Sequence, residues 1–402
     1  MTISASAPSP SDHERIARAA LCRVSEPAEV ELGRLVEQSG AAEVWDALCR
    51  GEGLGLPPRL LAGLRTRLPA ARPEADLAAL SRLGGRLICP GDEQWPAGVD
   101  ALGEVRPLAL WARGPLHLSS AAAGAVAMVG ARAATAYGAH VAGDIAAGLA
   151  ADFDRTVVSG GAYGVDGAAH RGALAVGGRT IAVLACGVDV PYPRGHEALL
   201  GKIAEHGLLL SEWPPGCSPQ RHRFLIRNRV IAAATAGTVV VEAAARSGAL
   251  NTAGSALRLD RPVMAVPGPV TSAMSVGCHV LLREVGVRLV TTAAEVVEEV
   301  GHLGSDLAEP PRGPVDPRDE LSTLSRRVLD GVPARRGAGP ASIARAAGVD
   351  VSDVLRCLGP LELTGLVERT PDGFRLSRTG RSTSPTESGP HVATQRPEGP
   401  GA

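Results

Sequence analysis

Through the middle of the chain, short apolar runs alternate with longer stretches in which apolar positions recur every three or four residues. The runs are Ala125 to Val129, Thr156 to Val158, Thr180 to Leu184, Leu208 to Leu210, Thr238 to Val241, Val263 to Val266 and Val287 to Val290. Strands apolar on both faces are covered on both faces, and spacings of roughly 20 to 30 residues leave room for crossover helices. The pattern predicts a doubly wound, mostly parallel α/β sheet. Each run ends in small or polar residues: Gly130-Ala131-Arg132, Ser159-Gly160-Gly161, Cys186-Gly187, Ser211-Glu212, Glu242 and Pro267-Gly268. Ligands of such sheets bind beyond the carboxyl ends of the strands, so a site is expected along that edge.

The flanks follow other rhythms. Leu32, Leu35, Val36, Val44, Trp45 and Leu48 lie at helical spacing and predict a small helical domain over 13–75. Two proline-punctuated segments, Leu87-Ile88-Cys89-Pro90 and Pro107-Leu108-Ala109-Leu110-Trp111, read as strands leading into a core over 78–300. Prolines and charges mark 303–320 as a linker, while 1–12 and 380–402 are polar and aperiodic, as flexible ends are. In 321–378, Ser325 to Asp330, Ala341 to Ala347 and Val351 to Leu366 read as helices. A Val367 to Arg369 and Phe374 to Leu376 hairpin follows, turning at Pro371-Asp372-Gly373. This is the order of a winged helix. Gly359-Pro360 is expected to interrupt its third helix. Asp350, Asp353 and Glu362 against Arg356 favour a structural or protein-binding role there over duplex reading.

Bulk charge gives no argument for nucleic acid: 41 basic and 42 acidic side chains sum to −1 over 402 residues, so any such site must be a local patch. Lys202 is the lone lysine; arginine carries nearly all positive charge, as GC-rich codon usage also produces. Seven scattered cysteines with no CxxC pair indicate neither a disulfide framework nor a zinc site. The N-terminus has no apolar signal run, and no apolar stretch reaches about 18 residues, so the chain reads as cytoplasmic with no membrane partner.

Two segments carry candidate chemistry. Val158 to Leu174 reads as a strand, a glycine-rich turn and a helix start, where backbone amides can close on a phosphate; a simple tight turn is the competing explanation. Ser159 stands at the first glycine of a dinucleotide motif, no acidic residue ends the next strand, and Lys202 is followed by Ile203. Dinucleotide and P-loop sites are therefore not expected, and no cofactor is. Gln220 to Ala232 is the densest basic segment, with no carboxylate between Glu212 and Glu242. Its arginines with Phe224 or Tyr192 suit single strands, since arginine forks phosphates and an aromatic ring stacks on any base. The competing reading is a helix face whose arginines pair with distant carboxylates. Asp166 and His170 lie four apart and suit a structural pair better than acid–base work, and Ser247-Gly248 lacks a nucleophile's context.

Taken in order, these segments resemble the DNA-processing A (DprA, also called Smf) family across Leu83 to Thr292. The likeness rests on Val129-Gly130-Ala131-Arg132 near Tyr137-Gly138, the Ser159 to Leu174 block, and Thr180 to Leu184 through Gly187-Val188-Asp189 to Tyr192-Pro193. It continues in Ser211-Glu212, Phe224 to Ile231, Val240 to Ala243 with Ser247 to Ala253, and Val266-Pro267-Gly268. The resemblance implies a Rossmann-like core, a SAM-like helical N-terminal domain and a C-terminal winged helix. It further implies sequence-independent single-stranded-DNA binding, RecA loading as a recombination mediator in DNA uptake, natural transformation and competence, a homodimer, and no catalysed reaction. The contact positions it implies are Arg132, Ser159, Gly160, Gly161, Arg194, Phe224, Arg227, Asn228 and Arg229. Departures from the family pattern are Leu225 where a proline is usual, Gly277-Cys278-His279, and Ala162-Tyr163 in the glycine turn. The alternative is a Rossmann-like nucleotide hydrolase or phosphoribohydrolase using Glu242, but Ala234-Thr235-Ala236 stands where such proteins carry Pro-Gly-Gly.

Overall fold

The structure, a computed structural model, describes residues 10–301, 306–308, 318 and 320–381. The stretch 1–9, most of the expected 303–320 linker and 382–402 of the expected tail lie outside the described residues. The chain divides into two compact units, 1–309 and 310–402.

In the first unit the seven apolar runs become strands, each within a residue of its predicted bounds, and the two proline-punctuated segments give two more, displaced by two to three residues. They are β1 (Gly85–Ile88), β2 (Leu110–Arg113), β3 (Val126–Val129), β4 (Val157–Ser159), β5 (Thr180–Leu184), β6 (Leu208–Ser211), β7 (Gly237–Val240), β8 (Val263–Ala265) and β9 (Val287–Leu289). They form one nine-stranded sheet in the order β1-β2-β6-β5-β4-β3-β7-β8-β9. From β6 across to β9 all neighbours pair in parallel, while β2 joins β6 and β1 joins β2 antiparallel. The two proline-punctuated segments supply this antiparallel edge, with Cys89-Pro90 and Pro107 left outside the strands. Proline has no N–H for a ladder, which accounts for the shift.

Alternate residues serve opposite helical layers. Ala127, Val129, Ile181 and Val183 pack with Val230 and Ile231, whereas Val126, Met128, Val157 and Val239 pack with Ile145 and Leu149. Both faces are thus buried, as unbroken apolar strands require. The chain runs from β3 outward to β6, then returns to the other side of β3 as β7. The helices after β3 and β7 lead away in opposite directions, which opens a crevice at their carboxyl ends.

Five helices precede the sheet: Asp12–Val24, Val30–Ser39, Ala41–Cys49 and Pro58–Arg67 close around Leu21, Leu32, Val44, Leu48 and Leu64, and Pro73–Arg82 packs Leu80 against Trp111 and Leu209 of the sheet. Polar contacts fasten them to the sheet domain, among them Arg15 donating to Asp92, Arg18 to the Leu108 carbonyl, Arg23 to the Pro215 carbonyl and Arg223 to Glu26. The second unit holds helices Thr323–Asp330, Pro340–Ala347 and Val351–Leu363 and a hairpin of Val367–Thr370 with Gly373–Leu376, a winged helix. Contrary to expectation, Gly359-Pro360 does not interrupt the third helix. Pro360 lies in its final turn, where its missing N–H removes one backbone hydrogen bond, and buried Leu358 and Leu361 hold the helix down on either side.

Candidate nucleic-acid interface

An open groove of about 720 Å³ lies in the crevice at the carboxyl ends of β3 and β7. The loops 130–133 and 244–249, the start of the helix Arg223–Ala233, and Tyr192 from the loop after β5 form its walls. Arg132, Arg221 and Arg246 are exposed along it and Arg227 lies in its floor. Asp166, itself buried, is the only carboxylate among the described lining residues. A chain of net charge −1 therefore concentrates positive charge at this one edge.

Aromatic rings stand among those cations. The Tyr192 and Phe224 centroids are 5.5 Å apart at 47°, and the Arg132 guanidinium sits 4.8 Å from the Phe224 centroid. Arg194 is exposed at the start of the short turn Arg194–His196, on the same loop as Tyr192. That loop is tied to the glycine turn by His196 Nδ1, 3.0 Å from the Gly161 carbonyl, and by the Gly195 amide, which donates to the Tyr163 hydroxyl at 3.2 Å. Arg132 from the loop after β3, Arg194 from the loop after β5 and Phe224 from the first turn of the helix Arg223–Ala233 are thus brought to one sheet edge.

Two amides of the glycine turn, those of Gly160 and Ala162, are already engaged within the chain, which narrows the expected phosphate seat. The Gly160 and Ala162 amides donate to Asp166 Oδ2 at 3.1 and 3.4 Å. Asp166, in the first turn of the helix Val165–Ala175, folds its own carboxylate into the place an anion would take. Burial pushes this carboxyl up from its usual range, and the Arg227 charge and the two amides oppose the shift. The Ser159 hydroxyl is also committed, donating to the Met128 carbonyl at 2.6 Å. Gly161 adopts φ +69°, which a side chain would strain, and Gly160 must lack one because a Cβ would come within 2.3 Å of an Arg227 nitrogen.

Arg227 lies beneath the turn, donating to the carbonyls of Gly160, at 2.9 Å, and Val183. Burial pushes its pKa down to about 10 even with Asp166 nearby. Asn228 is nearly buried and donates to the Gly248 carbonyl at 3.3 Å, joining two walls of the groove.

Arg229 departs furthest from expectation. It donates to both carboxylate oxygens of Glu212 at 2.6 Å and to the Val105 carbonyl at 3.0 Å, under the sheet edge and away from the groove. Arg223 is likewise paired with Glu26. Of the four arginines in the basic segment, Arg221 alone is exposed. A helix turns 100° per residue, so arginines close in sequence face different ways, and their partners lie up to 197 positions away. Sequence reasoning missed Arg246. Its signal was position alone: it follows the β7 run at the same edge as Arg132.

Glu242 does not stand free for hydrolysis. Thr135 donates to it through its amide, 2.8 Å, and its hydroxyl, 2.7 Å, at the start of the helix Ala136–Ala151, and Gly138 leaves the room. Asp166 and His170 do not work together either. His170 Nδ1 lies 2.7 Å from the Thr180 hydroxyl, and burial drops its pKa to about 3. Among the described residues no cluster of His, Cys, Asp and Glu could hold a metal ion, and no helix is long and apolar enough to cross a membrane.

Residues 86–301 match the family model described as DNA recombination-mediator protein A, and 311–373 match the DprA winged helix domain. The putative DNA processing protein DprA of Mycobacterium tuberculosis (strain H37Rv) is 49% identical over 370 residues, covering 90% of this chain and 94% of that protein. Protein Smf of Escherichia coli (strain K12) is 36% identical over 314 residues, 76% of this chain and 81% of that one. The X-ray structure of DNA processing protein A from Streptococcus pneumoniae superposes with a TM-score of 0.59 at 29% identity, covering 72% of this chain and 98% of that one. With the sheet, the winged unit and nearly the whole sequence matched in order, the chain belongs to the DNA recombination-mediator protein A (DprA/Smf) family.

Proposed function

We propose that this protein binds single-stranded DNA without reading its sequence, in the groove beyond β3 and β7. It then hands the strand to RecA recombinase during recombination and DNA uptake in natural transformation. The observation that carries the reading is the company kept in the groove: exposed Arg132, Arg221 and Arg246 around the Tyr192–Phe224 ring pair, against one buried carboxylate. Guanidinium groups hold phosphates, rings stack on the faces common to all bases, and no base edge need be read.

In this reading Arg132, Arg194, Arg221, Arg246, Tyr192 and Phe224 touch the strand. Ser159, Gly160, Gly161, Arg227 and Asn228 shape the floor beneath it, and Arg229 holds the scaffold. Hand-over requires no bond to be made or broken, so the protein works as a binding mediator and not as an enzyme. Transfer to RecA, a homodimeric working form and a cytoplasmic site of action rest on family membership.

Fluorescence anisotropy with labelled oligo-dT, duplex DNA and a labelled nucleotide across a salt series tests the binding step. Strand-selective binding should weaken with salt, by a log–log slope of about −0.7 per phosphate contact, and collapse in Arg132→Ala/Arg194→Ala. Tight nucleotide binding with no affinity for strands would sink the reading. RecA filament assembly on pre-coated strands tests the second step, and assembly no faster with this protein than without it would remove that part.

A further inference from the structure

The third helix of the winged unit, Val351–Leu363, occupies the position from which a winged helix reads a duplex, yet its outward face is poor in charge. Val351, Leu355 and Leu363 project from it, Leu355 59% and Leu363 90% exposed. Arg356, its one exposed cation, is already paired with Asp353. Gly359 sits between the two leucines without an internal reason: a Cβ there would meet nothing within 4 Å. Glycine weakens a helix interior, and its lack of a side chain permits the close approach of another backbone.

We propose that this face docks a second copy of the same helix, antiparallel about a two-fold axis through Gly359. Positions equidistant from the glycine then meet. Leu355 of one copy packs on Leu363 of the other, and Arg356 of one faces Glu362 of the other, each contact occurring twice. Glu362 has only a loose ion pair at home, 3.6 Å from Arg369, and gains a second cation. This charge complementarity selects a second copy as the occupant, because one surface supplies both halves of every contact. Duplex phosphates would instead meet Asp353 and Glu362. One helix face offers far less than the about 1,600 Å² of a standard interface, so free chains pair weakly and chains already held together pair readily. The inference holds whichever ligand the core binds.

Full-length Leu355→Cys and Leu363→Cys proteins, mixed and cross-linked under mild oxidation, test it, with linkages assigned by peptide mass so that exposed Cys49 is told apart. Both substitutions fall on exposed positions, and an unchanged circular dichroism melt confirms the fold. Mixed 355–363 linkages should exceed the 355–355 and 363–363 linkages formed within each preparation. In that background Arg356→Glu should cut the mixed yield by about tenfold, from the loss and reversal of two ion pairs, and adding Glu362→Arg should restore it. Mixed linkage no more abundant than same-site linkage, or a yield indifferent to the charge swap, overturns the proposal. So does protection of the helix by duplex DNA or RecA without chain-to-chain linkage.

Discussion

Replacing Arg229 with methionine keeps a long apolar stem and deletes the guanidinium, leaving the Glu212 carboxylate buried with nothing opposite. The two side chains are 10% and 3% exposed, and two 2.6 Å bonds join them. Breaking a pair this deep costs about 3–5 kcal/mol, most of it the stranded charge. Adding Glu212→Gln removes that charge, so the double variant should lose less than the two single losses combined. Urea unfolding followed by tryptophan fluorescence is the assay, and it reports the first unit alone because Trp45, Trp95, Trp111 and Trp213 all lie there. Strand binding by the folded fraction should keep its salt slope, since a lost phosphate contact would make that slope shallower by about 0.7. An Arg229→Met protein with an unmoved midpoint and a shallower slope would show that Arg229 grips the strand, and the scaffold role would be wrong.

Arg246→Ala should behave in the opposite way, with stability within about 0.5 kcal/mol of the parent and a salt slope shallower by about 0.7 in anisotropy titrations. Gly160→Ala forces a methyl against a buried guanidinium that has nowhere to move, and should cost about 1–3 kcal/mol in a denaturant series. His170 gives a pH signature. Its native pKa is depressed to about 3 from 6.5, so the fold keeps it neutral while the unfolded chain takes up a proton below about 6.5. That contribution is whole above pH 6.5 and is lost as pH falls toward 3. A His170→Gln variant should therefore show a shallower fall in stability between about pH 7 and about pH 4.5, and an unchanged fall would refute the assignment.

The sheet was legible because its strands are apolar on both faces, a pattern that leaves a parallel, helix-covered arrangement as the economical solution. Strand ends pointed to the crevice for the same reason: Arg132, Ser159 and Glu242 all follow apolar runs. What the sequence hid was direction and partnership. Arg227 and Arg229 stand two positions apart on one helix, and nothing local shows that one lies under the glycine turn while the other reaches Glu212. Asp166 looked like the start of a helix next to an open phosphate seat, but its carboxylate bends back onto two amides of that seat. Arg246 gave no cluster to notice, because the strand order that brings it opposite Arg132 is set by long-range pairing of β3 with β7.

Asp166 also bears on which ligands can compete for the groove. A free nucleotide has few phosphates to offer and gains most from a deep cluster of amides, but here the chain's own carboxylate already takes the Gly160 and Ala162 amides. A strand instead gains from many shallow contacts, none of which need be strong, and their sum grows with length. If the groove binds strands as proposed, the protein should prefer polymers to monomers, and nucleoside triphosphates should compete poorly for a site where Asp166 already takes two turn amides.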